Sequence, residues 1–176
     1  MSDINDKYRA YCTIRDLHGS PELAAALGNM LVAWSDAERS LQAVIHKATD
    51  MDQRLISDIF SQVPTFDGRK KLAKTLLDRW VHAGPEQEAV KTAIDQLSRL
   101  AKTRNDWVHG AWAEPMIAGT DLPKVIFDYR EPHGSRKRRK PVKAVDILGH
   151  VRAVNQKALD IIELTAQLRP MKLKKT

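Results

Sequence analysis

The sequence predicts a mainly α fold, a helical bundle of about five helices with a small β-hairpin inserted before the last. Three observations carry this. Apolar residues return at three- and four-residue steps through most of the chain, residues that start and stop helices bracket those segments, and one short stretch alternates with a period of two. No internal repeat and no low-complexity linker interrupts the pattern. The expectation is therefore a single domain over 1–176, with its core at about 21–168 and the β insert at about 111–144.

The first nineteen residues show no clear period, and Tyr8, Tyr11 and Ile14 suggest a docked helical turn. Ser20 then reads as a helix N-cap, Pro21 as the first helical residue, and Glu22 complements the helix dipole. Leu23, Leu27, Leu31, Trp34, Leu41 and Ile45 form the apolar stripe of this long helix, and Gly28 weakens it only slightly. A shorter helix over 51–63 carries Leu55, Ile56, Ile59 and Phe60. The next is expected to be capped at Asp67 and stopped at Gly84-Pro85, with Leu72, Leu76, Leu77 and Trp80 facing inward. Arg69, Lys70, Lys71 and Lys74 cluster near its start. A fourth helix runs from about Glu86 to His109, where Gly110 is a natural stop. Val125, Phe127 and Tyr129 then alternate with Ile126, Asp128 and Arg130, the pattern of a half-buried strand. Residues 110–115 and 139–145 flank it, and Glu131–Ser135 reads as the hairpin turn. Asp146 caps the last helix, whose stripe is Ile147, Val151, Val154, Ala158, Ile161 and Leu168.

Composition narrows the function classes. A chain of 176 residues with 43% hydrophobic and 29% charged residues is that of a globular domain rather than a disordered polymer. No apolar run approaches the roughly 18 residues that span a membrane, so no membrane partner is expected. Cys12 is the only cysteine, which excludes an intrachain disulfide and suits a reducing compartment. With no signal-peptide layout at the start, a cytoplasmic location is the expectation. The net charge of +7 favours polyanionic partners such as nucleic acid, with an ordinary basic protein as the alternative.

The fourth helix breaks its own pattern at "TRNDWVHG". Successive helical residues turn by about 100°, so Leu97, Val108 and Val90 fall within about 40° of Arg104. The arginine stands in the middle of the apolar stripe. Asn105 and His109, four residues apart, lie one above the other at its edge. A charge in a core needs an offset. Glu38 of the first helix is the candidate carboxylate, expected to meet Arg104 or His109, and a purely structural Arg104–Glu38 pair is one reading.

Arg104-Asn105-Asp106-Trp107-Val108-His109 has the form R-N-x-x-x-H near the end of a long helix. That resembles the HEPN superfamily (higher eukaryotes and prokaryotes nucleotide-binding), marked by an arginine, a polar residue after it and a histidine shortly beyond. The order of elements is also similar over about residues 21–168. The resemblance implies a HEPN-like helical bundle acting as a metal-independent endoribonuclease. Members of this kind belong to toxin–antitoxin and phage-defence systems, form a homodimer through the motif face, and leave 2′,3′-cyclic phosphate and 5′-hydroxyl ends. Arg104, Asn105 and His109 are then the catalytic set, with Glu38 and Asp106 in support. RNA is the expected partner, with an antitoxin or another protein as a further one. Other members are inactive dimerisation or RNA- and nucleotide-binding modules, and that alternative stays open.

The chemistry agrees on its own terms. Cleaving RNA without a metal needs a base near neutral pH, which a histidine supplies, and a cation for charge on the phosphorane, which a guanidinium supplies. Asn105 can hold the histidine or the phosphate. The run Arg136, Lys137, Arg138, Arg139 and Lys140 is the candidate RNA-backbone contact, against the plainer reading of a solvated turn. Trp107 and Trp112 are candidates for base stacking or an interface, with ordinary packing as the alternative. His18, His46, His82, His133 and His150 show no metal-ligand spacing, and no phosphate-binding glycine loop is present. No metal and no cofactor are expected.

Overall fold

The computed structural model describes residues 11–13, 17–115, 125–127 and 140–171. Its elements run β1 (Tyr11–Thr13), α1 (Pro21–Thr49), α2 (Gln53–Gln62), α3 (Phe66–Trp80), α4 (Pro85–His109), β2 (Ala111–Pro115), β3 (Val125–Phe127), β4 (Lys140–Pro141) and α5 (Ala144–Ala166). The protein is mainly helical, as its periodicity predicts. Among the described residues no helix is long and apolar enough to cross a membrane.

The helix ends follow local chemistry. The Ser20 carbonyl accepts the N–H groups of Leu23 and Ala24, opening α1. Asp52 caps α2, its carboxylate accepting from the Arg54 and Leu55 N–H groups at 2.8 and 3.4 Å. For α3 the cap is Thr65 rather than Asp67. The Thr65 hydroxyl accepts the Gly68 N–H at 3.1 Å, which leaves Asp67 in the first turn to pair with Lys70 at 2.6 Å. That helix ends at Trp80, before the expected stop, because Val81 turns extended and bridges Pro170. Asp146 does not cap α5 from outside. It sits in the first turn and reaches back to the Lys143 N–H at 2.9 Å, as the acid of a capping box does.

The described residues group into two compact units. One takes in Val32–Ala101 with the chain from Val151 onward; the other lies within the stretches up to Leu31 and from Lys102 to His150. The helical unit buries Trp34, Ala37, Leu41, Val44 and Ile45 of α1 with Ile56, Phe60, Leu77, Val90, Ile94, Leu97, Val154 and Ile161. Trp34 meets Phe66 at 4.8 Å between ring centroids. Lys74–Asp95 at 2.9 Å and Lys91–Asp78 tie α3 to α4, and the buried Gln87 donates to the Leu77 carbonyl at 2.8 Å.

In the mixed unit a four-stranded antiparallel sheet has the order β1-β2-β3-β4. Tyr11 pairs with Pro115, Trp112 with Ile126, and Ile126 in turn with Lys140. Tyr11 therefore belongs to a strand, not to a helical turn. What settles it is β2, which offers an edge whose backbone groups need partners. Tyr8, Ile14 and the Glu131–Ser135 turn lie outside the described residues. Buried in this unit are Leu23, Ala26, Met30, Ala113, Val142, Ile147 and His150. The stripe drawn through Leu27 and Leu31 is displaced: Ala26 and Met30 point inward and Leu31 is 46% exposed. Repeated four-residue steps drift by about 40° each, while alternating three- and four-residue steps hold one face.

Candidate functional site

Burial along α4 decays toward its C-terminal end. Val90, Ala93, Ile94 and Leu97 are buried, while Leu100, Ala101, Arg104, Trp107 and Val108 are half-buried. The helix thus surfaces where the polar motif begins, so Arg104 is not sealed in a core. Its Nε is enclosed, and its Nη1 donates to the Asn105 side-chain oxygen at 2.9 Å. Asn105, Asp106 and His109 are exposed. Asn105 and His109 stand one helical turn apart, about 6 Å between their Cβ atoms. The structure gives Asn105 a definite task, orienting the guanidinium. Among the described residues nothing else bonds its side chain, and none bonds the His109 ring.

The end of α4 is fastened twice. The Gly110 N–H donates to the Asp106 carbonyl at 3.0 Å, and the Trp112 indole N–H donates to the Trp107 carbonyl at 3.1 Å. Both close carbonyls that a helix end leaves open. Trp107 also meets His150 edge-on, with centroids 5.0 Å apart and planes at 79°. Packing is therefore what both tryptophans do in this unit.

Glu38, the carboxylate expected to meet Arg104 or His109, is engaged inside the helical unit. Its carboxylate accepts from Arg69 Nη1 at 2.7 Å. The same guanidinium donates to the Val63 carbonyl at 2.9 Å and the Phe60 carbonyl at 3.2 Å, and lies 5.5 Å from the centre of the Phe60 ring. Arg69 wins because the first turn of α3 follows directly on the end of α2, and its planar fork reaches carbonyls and carboxylate together. Two lysines of the same basic cluster on α3 are also engaged, Lys70 by Asp67 and Ser98 and Lys74 by Asp95.

Arg136, Lys137, Arg138 and Arg139 lie outside the described residues; Lys140 opens β4. Among the described residues no three His, Cys, Asp or Glu side chains gather as metal ligands do. His46 is used locally, its Nδ1 2.7 Å from the Met51 carbonyl at the end of α1. The residue that spacing alone passed over is His150. It stands between Ile147 and Val154 at helical steps, a position that marked it as inward-facing. Comparison with models of known protein families, with curated proteins and with solved structures finds no match for this chain.

Proposed function

We propose that the protein is a metal-independent endoribonuclease of HEPN type that works as a homodimer through the α4 motif face. One observation carries the reading: exposed His109 and Asn105 stand one turn apart beside an Arg104 guanidinium that Asn105 holds at 2.9 Å. A guanidinium held in place by a neutral amide can present its remaining donors to a phosphate.

His109 takes the proton of a ribose 2′-hydroxyl, and the 2′-oxygen attacks the adjacent phosphorus. The bond from phosphorus to the 5′-oxygen breaks, and that oxygen leaves with a proton donated by His109 of the partner subunit. Arg104 stabilises the charge on the non-bridging oxygens. A 2′,3′-cyclic phosphate and a 5′-hydroxyl result.

The test is cleavage of a single-stranded RNA in EDTA, with end groups identified. The wild type should cut, and His109→Ala should lose about a hundredfold or more in rate while its thermal unfolding is unchanged. RNA binding without cleavage by the wild type would move the protein to the binding-module alternative. Neither binding nor cleavage would overturn both.

A further inference from the structure

We propose that His150 is a positioning residue for the Arg104–Asn105–His109 site, acting through Trp107; this rests on the function proposed above. Trp107 lies three residues after Arg104 and two before His109, so its placement sets the last turn of α4 for both. Two contacts hold it. The Trp112 indole binds its carbonyl at 3.1 Å, and His150 meets its ring edge-on at 5.0 Å.

The two contacts constrain different things. The indole hydrogen bond fixes the backbone at Trp107, whereas the ring contact fixes how far the helix is rotated about its axis. That rotation decides where Asn105 and His109 point. His150 suits the task because it is 8% exposed and sits on α5 between buried Ile147 and Val154. A ring held by a packed helix gives Trp107 a firm wall. A loop residue would not. Edge-to-face ring pairs favour perpendicular planes, and the observed 79° matches that geometry. His150 performs no proton transfer in this scheme.

The experiment compares His150→Phe, which keeps a ring, with His150→Leu, which keeps bulk without one, in the full chain. Hydrogen exchange at the amides of residues 107–110 and the NMR resonances of the His109 ring are read without RNA; cleavage is read with it. His150→Leu should speed exchange at 107–110 about two- to tenfold, leaving Leu97 unchanged, and should shift the His109 resonances. Its kcat should fall at least about tenfold, with KM held within about twofold. His150→Phe should restore all three. Unchanged exchange and an unchanged His109 resonance in His150→Leu would overturn the proposal, as would an unchanged kcat in an active enzyme. If the wild type does not cleave RNA, the endoribonuclease reading fails, while exchange and NMR still decide whether His150 governs His109. Should His150→Leu fail to fold, Trp107→Leu against Trp107→Phe makes the same comparison from the other ring, with the same overturning outcomes.

Discussion

Replacing Arg69 with alanine should cost far more than its place on a helix surface suggests. The guanidinium makes one ion pair, two hydrogen bonds to backbone carbonyls at the end of α2, and one contact with the Phe60 ring. The side chains of Arg69 and Glu38 are 20% and 25% exposed, so solvent weakens the pair without cancelling it. Taking about 1 kcal/mol for each of the three polar contacts and about 0.5 kcal/mol for the ring gives a loss of about 3.5 kcal/mol. Arg69→Lys places one ammonium opposite Glu38 and abandons the carbonyls, so it should still lose about 2 kcal/mol. Glu38→Gln removes only the pair, about 1 kcal/mol, because Arg69 keeps its carbonyls. Urea unfolding at fixed pH measures all three, with a constant slope confirming that only stability has changed. The reasoning is refuted if Arg69→Lys is as stable as the wild type, or if Glu38→Gln costs as much as Arg69→Ala. RNA cleavage by Glu38→Gln should equal that of the wild type, since Glu38 serves the α2–α3 junction.

Two helical glycines should respond with opposite sign. At Gly28 an added Cβ meets nothing within 4 Å, so Gly28→Ala should stabilise by about 1 kcal/mol in thermal unfolding. At Gly68 it would lie 2.7 Å from Val63 Cγ1 and 3.1 Å from Thr65 Oγ1, so Gly68→Ala should lower the melting temperature despite its better helix propensity. Asp50 has a φ of 56° just past α1, and Asp50→Gly should raise stability by up to about 1 kcal/mol, measured by urea unfolding. Hydrogen bonds from Lys157 and then Gln156 hold the Asp160 carboxyl below its usual 3.8. Its contribution is therefore present above that value and lost as pH falls through the lowered one. The stability gap between wild type and Asp160→Asn should be open at about pH 6 and closed in strong acid, read from melting temperatures.

Much of the helical architecture was legible because it is written locally. Pro21 and Gly110 mark helix ends through their own backbone chemistry, and each lies where its residue type predicts. The inward stripes of α3 and α5 follow from spacing alone. What escaped was non-local. The Glu38–Arg69 pair joins residues 31 apart, and no periodicity selects one arginine over another at that range. Tyr11–Thr13 becomes a strand only because β2, far along the chain, offers an edge. At the site, spacing correctly put Asn105 and His109 on one side of α4. It could not show that burial loosens after Leu97, which turns an apparent core arginine into a half-buried one.

The bridge between Val81 and Pro170 bears on how the chain is made. Met171 donates its N–H to the Trp80 carbonyl at 2.8 Å, and the His82 N–H reaches the Arg169 carbonyl at 3.3 Å. The junction between α3 and α4 is thus finished by residues about ninety positions later, and β1 likewise waits for β2. Each unit is assembled from two separated stretches of chain. On a ribosome neither can close as its first stretch emerges, so folding should be completed late, after α5 is released. Such distant closures also slow folding, because loop entropy is spent before the contacts form. A fragment cut between the units with a single break would leave both unfinished.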